Sequence, residues 1–172
     1  MVCGMSSHRR SPICIRPNQP SLPPGLTNLT GLFITSNQLT NLTLPPDMIH
    51  LAVLGFIANP LTTLVLSEPL AASTNLSINS GETIASLRDQ GISVYTYPLV
   101  LHLVQPRALT GAFQFAVAGP PGVYAVLGST DLSVWSQLAV LTNQLGSAFF
   151  TELPESFVSR KFYRVRLQES EN

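Results

Sequence analysis

The sequence predicts a short parallel-β repeat solenoid followed by a small antiparallel all-β domain. Three observations predict it. Residues 29–44 and 51–66 match one another at a fixed offset of 22 positions. From about Gly111 the texture switches to short alternating segments separated by turn residues. Finally, 45% of the 172 residues are hydrophobic and only 10% are charged, against roughly 25% charged in a typical soluble domain. That balance supplies a core and leaves Thr, Ser, Asn and Gln to cover the surface.

The repeat comes first in the chain and carries most of the argument. Leu29, Leu32, Ile34, Asn37 and Leu39 align with Leu51, Leu54, Phe56, Asn59 and Leu61 as L-x-x-L-x-[apolar]-x-x-N-x-L. The match continues through Leu42/Leu64 and Leu44/Leu66, and Leu22-Pro23-Pro24-Gly25-Leu26 precedes the first unit as Leu44-Pro45-Pro46-Asp47-Met48 precedes the second. This is the leucine-rich-repeat pattern at one of its permitted periods. Each unit gives a short strand, centred on Leu32 and Leu54, with a short helical or irregular convex side. Leu32, Ile34, Leu54 and Phe56 are expected inside. Asn37 and Asn59 stand where the chain leaves the strand, and their amides can satisfy backbone groups stranded by the bend. Their expected role is structural.

The flanks are degenerate. Ile13-Cys14-Ile15 repeats the strand upstream, and Leu76-Ser77-Ile78 continues the register downstream with Gly81 at the Asn position. Residues 82–90 read as a short helix capped by Ser80 and stopped by Gly91. A strand over Ile92–Tyr95 follows and ends at Tyr97-Pro98, because proline cannot donate to a ladder. The expected organisation is a ragged tail over 1–12, a repeat domain over 13–98, a linking strand over 99–110, a small all-β domain over 111–168 and a tail over 169–172.

In the second module Phe113–Val117 alternates with period two, Gly119-Pro120-Pro121-Gly122 is a turn, and residues 123–129, 136–141, 147–151 and 161–167 are further strands. Such spacing predicts an antiparallel sandwich or barrel. Gly122-Val123-Tyr124, Ser129-Thr130-Asp131-Leu132-Ser133-Val134-Trp135 and Phe162-Tyr163-Arg164 resemble a small C-terminal β module of large bacterial surface or secreted proteins. With the repeats, the resemblance spans about Leu22 to Leu167 and implies an extracellular or envelope setting, while the N-terminus shows no apolar signal-peptide core. It brings no settled activity with it.

Candidate sites follow from the register. Positions between the inward residues face the concave side of the sheet: Phe33, Thr35, Val53, Gly55 and Ile57, extended by Ser93 and Tyr95 beyond and by Cys14 and Arg16 before. This row is apolar and almost uncharged, as contact surfaces often are, and its glycines, Gly31 and Gly55, would let a partner approach the backbone. Trp135 is read as a core anchor rather than as a sugar platform with Tyr124, and Asp131 as the turn before it. Arg164 and Arg166 share one face of the last strand with Phe162, either as a solvated face or as an anion site.

Chemistry is sparsely represented. His8, His50 and His102 are scattered, as are Asp47, Glu68, Glu82 and Asp89, and no nucleophile elbow, zinc-protease, P-loop or dinucleotide motif is present. Cys3 and Cys14 either pair or stay free, and with His8 they make only a weak metal pattern. Net charge is zero, without the basic stripe that nucleic acid requires, and no apolar run is long enough to cross a membrane as a helix. The acceptor-like triplets at Asn28, Asn41 and Asn75 are treated as accidents of an Asn/Thr-rich repeat. The expected function is a non-enzymatic, cofactor-free and metal-free scaffold that binds a protein or glycan on the concave face. The alternative is an accessory domain pair of a larger secreted or surface enzyme, with this chain a fragment.

Overall fold

A computed structural model describes residues 2–6, 9–15, 22, 25–153 and 160–168. The chain forms two compact units, Met1–Thr96 and Tyr97–Asn172. The first holds parallel β-sheets with short helices, the second antiparallel sheets.

The first unit begins with β1 (Val2–Ser6) and β2 (Arg9–Ile15), an antiparallel hairpin that sets Cys3 opposite Cys14. A ragged tail and a parallel rung at Ile13–Ile15 were expected here. β2 instead pairs antiparallel with β1 and joins neither parallel sheet among the described residues, so Ile13–Ile15 is not a parallel rung. Arg16 and His8 lie outside the described residues.

Two parallel sheets follow. β3 (Gly31–Phe33), β5 (Val53–Gly55) and β7 (Ser77–Ile78) form one. β4 (Asn41–Thr43), β6 (Thr63–Ser67) and β8 (Ser93–Tyr97) form the other. Leu32 pairs with Leu54 and Leu42 with Leu64, both at the 22-residue offset read from the sequence. The side opposite β3 and β5 is thus itself a strand layer, because Asn41–Thr43 and Thr63–Ser67 alternate Leu with Thr, Asn, Val and Ser. One core lies between the layers: Leu32, Ile34, Leu54, Phe56 and Ile78 from the first, Leu42, Leu44, Leu64, Leu66 and Val94 from the second.

At β7 the register changes. Ile78 pairs with Leu54, at an offset of 24 rather than 22. The added residues accompany α1 (Glu68–Ala71), a single turn capped by the Ser67 hydroxyl, which accepts from Leu70 N–H. A shift of two preserves strand parity, so Ile78 still points inward. α2 (Ile84–Asp89) is capped by Thr83 and not by Ser80: the Thr83 hydroxyl accepts from Ser86 N–H, and the Ser86 hydroxyl accepts from Thr83 N–H. Its C-terminus is a Schellman motif. Gly91 N–H bonds Arg88 O, Ile92 N–H bonds Leu87 O, and Gly91 takes φ +86° as that motif requires.

In the second unit β9 (His102–Leu109), β10 (Ala112–Ala118) and β13 (Ser147–Glu152) form one antiparallel sheet. β11 (Gly122–Ser129), β12 (Ser136–Asn143) and β14 (Phe162–Leu167) form the other. The first strand starts at His102 rather than Leu99. It is an edge strand, and Gln105 and Pro106 form a bulge between the Val104–Ala116 and Arg107–Gln114 pairs. That position accommodates proline without a lost ladder bond. Phe115, Val117 and Phe150 from one sheet and Tyr124 and Val126 from the other share one apolar cluster. Asn143 pins its end, donating to Gly119 O and Pro120 O and accepting from Gly146 N–H.

Candidate functional site

The candidate site is built on the outer face of the β3–β5–β7 sheet. Leu32, Ile34, Leu54 and Phe56 are buried, so strand alternation sends Phe33, Thr35, Val53, Gly55 and Ile57 outward. Phe33 is 47% exposed and Ile57 54%; Val53 is half-buried and Thr35 exposed. The Phe33 ring lies over the two glycines. A Cβ on Gly55 would meet Phe33 Cδ1 at 3.0 Å, and one on Gly31 would meet Phe33 Cε2 at 3.3 Å. The glycines therefore accommodate the chain's own aromatic ring. They do not leave backbone open to a partner, which corrects the reading of Gly31 and Gly55 from sequence. The ring is thereby held flat with one side toward solvent.

Ser93 and Tyr95 do not extend this row. They stand on β8, in the opposite sheet, where Ser93 N–H donates to Thr62 O at 2.8 Å. The third strand beside Phe33 and Val53 is β7, whose outward residue is the exposed Ser77. The cause is topological: α2 carries the chain across the unit, so the strand after it joins the far layer. Tyr95 is 40% exposed there.

The asparagines brace the edge of the site. Asn37 donates to Ile34 O at 2.8 Å and Thr35 O at 3.0 Å. Asn59 donates to Ile34 O and Phe56 O, both at 2.8 Å, and accepts from Leu39 N–H at 3.2 Å. It thus ties two successive units together. Ser36 and Ala58, one residue before each, share φ 59°. Asn79 was missed from sequence: its Oδ1 accepts Phe56 N–H at 2.8 Å, and its amide donates to Glu82 Oε2. The sign that pointed to it was an Asn directly after a strand. Asp47 acts similarly across 22 residues, accepting Gly25 N–H at 2.6 Å and Leu26 N–H at 3.2 Å.

In the second unit Trp135 is not a core residue. It is half-buried in the loop before β12, outside the strand alternation, and donates Nε1–H to Leu132 O at 3.0 Å. The Arg164 guanidinium covers its ring at 4.3 Å. Tyr124 is buried, its hydroxyl donating to Pro120 O at 2.6 Å, so the two aromatics make no shared platform. Asp131 does make the turn: Oδ1 accepts Ser133 N–H, Val134 N–H and the Ser129 hydroxyl. Those bonds, led by that from Val134, hold its pKa below the usual carboxylate value. Between the two sheets Glu152 binds Lys161 and accepts the Tyr163 hydroxyl at 2.7 Å. Burial, reinforced by Glu152, pushes the Tyr163 phenol well above its ordinary range.

His50 and His102 are exposed and stand in different units. Among the described residues no group of three or more His, Cys, Asp or Glu is placed to hold a metal ion, and no helix is long and apolar enough to cross a membrane. Comparison with family models, curated proteins and solved structures finds no match to the chain.

Proposed function

We propose that the chain is a non-catalytic binding scaffold: a short leucine-rich-repeat solenoid that uses the outer face of its β3–β5–β7 sheet, joined to a small β-sandwich. The observation that carries this reading is Phe33. A phenylalanine on a solvent-facing strand position, lying on glycines in two adjacent strands, is positioned in advance and loses little side-chain entropy on contact. With Ile57 and Val53 it forms an uncharged apolar row, and aromatic anchors dominate many interfaces. Repeat architectures vary such outward positions freely, since the core is built from the others. The partner is a protein or glycan. The cellular setting suggested by the resemblance of the second module, the envelope or exterior, is part of the proposal.

The test is affinity capture from the native source with wild type, Phe33→Ser, Ile57→Ser and Tyr95→Ser, each first shown to unfold cooperatively at the wild-type urea midpoint. The reading expects Phe33→Ser and Ile57→Ser to lose the captured species and Tyr95→Ser, in the other sheet, to keep it. Equal capture by all four proteins overturns it.

A further inference from the structure

The outer edge of β14, which no described strand covers, carries an inference separate from the repeat face. β14 ends its sheet, with β11 on one side and no described strand on the other. Gln168 donates its N–H to Val123 O at 2.8 Å. Antiparallel pairs alternate between residues that exchange hydrogen bonds and residues that do not. By that parity Phe162, Arg164 and Arg166 turn their backbone groups to β11, and Tyr163, Val165 and Leu167 turn theirs to the open side. Edges are blunted by proline, by a bulge or by charged side chains; β9 has the first two, at Gln105 and Pro106, whereas β14 has only charge, at Arg164 and Arg166, which repels a like-charged strand and not an acidic one. The register of β14 against β11 is unbroken.

The side chains beside this edge define what fits it. Arg164 pairs with Leu127 and Arg166 with Ala125, while Tyr124 and Val126 lie in the core, so both arginines stand on the outer face. They repeat at about 7 Å, two residues of extended chain. Arg164 is steadied over Trp135, and the indole is itself fixed by Leu132 O. Among the described residues the ion pair is Lys161–Glu152, and neither guanidinium has a carboxylate partner. Asp131, the acid of the neighbouring loop, has its Oδ1 engaged by its own turn. A second copy of this chain adding through β14 would set arginine against arginine, which is unfavourable for directly opposite strand residues. An acidic strand has the reverse property, and its own alternate residues repeat at the same 7 Å.

We infer that the open edge of β14 takes up an extended peptide segment of a partner protein, with Asp or Glu at alternate positions opposite Arg164 and Arg166 and apolar residues between them. The backbone of Tyr163, Val165 and Leu167 supplies the ladder, and the exposed Leu167 side chain lies beside the apolar positions. Main-chain pairing gives affinity in such strand addition, and alternate side chains give selectivity.

The probe is a capped, fluorescently labelled decapeptide of alternating Glu and Val, titrated by polarisation against the full chain. Three companions complete the experiment: the Lys/Val peptide, the Glu/Val peptide N-methylated at alternate residues, and the double variant Arg164→Glu/Arg166→Glu. Saturable binding of the Glu/Val peptide is expected, about tenfold or more weaker for the Lys/Val and N-methylated peptides. The double variant should reverse the preference and select Lys/Val. That reversal also shows the variant is folded. Equal binding of the N-methylated peptide overturns strand addition, and a preference unchanged in the double variant overturns the arginine assignment. Absence of saturable Glu/Val binding overturns the inference as a whole. Competition by an acidic polysaccharide stronger than by unlabelled Glu/Val peptide would overturn the peptide class.

Discussion

Replacing Asn59 with alanine removes the side chain that links two successive repeat units. Four backbone groups are affected, of which Ile57 O is bonded only at 3.5 Å and keeps its bond from Ser36 N–H. Phe56 O and Leu39 N–H lose their bonds to Asn59, whereas Ile34 O keeps its bond from Asn37 at 2.8 Å. At about 1 kcal/mol net per hydrogen bond, more where a part-buried group is left unpaired, the loss is about 2–3 kcal/mol. Asn37→Ala removes two bonds within its own turn, and Ile34 O there keeps the one from Asn59, so about 1 kcal/mol is expected. The ordering matters more than either value: the residue bridging units should cost more than the residue closing a turn. Urea unfolding followed by circular dichroism measures both, with the slope checked for constancy so that a midpoint shift reports stability. An Asn59→Ala change within roughly 0.5 kcal/mol, the range of an ordinary surface substitution, or a larger effect from Asn37→Ala, refutes the role given to these amides.

Other outcomes follow from the same geometry. Gly55→Ala places a methyl 3.0 Å from Phe33 Cδ1 and should cost about 1–3 kcal/mol; in the Phe33→Ala background most of that penalty should vanish, which a double-mutant cycle measures. Ala58→Gly relieves a left-handed residue at φ 59° and should add up to about 1 kcal/mol of stability, read as a higher urea midpoint; a lower midpoint would contradict it. Tyr163 is neutral when folded and its pKa lies above that of the unfolded chain, so its contribution is complete below about pH 10, the free phenol value, and declines as pH rises further. Tyr163→Phe should flatten that alkaline decline in urea midpoints. Asp131 shifts the opposite way: its contribution is present above the ordinary carboxylate range and declines as pH falls through it, a dependence that Asp131→Asn should remove.

The repeat core was legible because it obeys a period. Leu32, Ile34, Leu42, Leu44, Leu54, Phe56, Leu64 and Leu66 all lie in the core, where sequence alignment alone had put the first four beside the last four. Five strands of the second unit followed from alternation and turn residues, with boundaries close to those observed. What failed depended on partners distant in the chain. Ser93 and Tyr95 have the right local pattern, but which sheet a strand joins is decided by the crossover before it, and α2 changes layers. The offset of 24 at Ile78 is hidden because a slip of two leaves the apolar pattern intact. Trp135 follows the Asp131 turn as a core anchor would; a loop position next to Arg164 gives the same ring another use. The glycines beneath Phe33 look like openings in a sequence, and only the ring's direction shows that they are filled. Ser80 and Thr83 both suit a cap, and the reciprocal bonds with Ser86 decide for Thr83.

The measurement that tests the central claim most directly is amide hydrogen exchange of the full chain with and without its captured partner. The account predicts added protection in residues 31–35 and 53–57, the β3 and β5 strands with their exits around Phe33 and Ile57, and unchanged exchange in 93–97. Protection confined to 93–97, or none within the repeats, would contradict it.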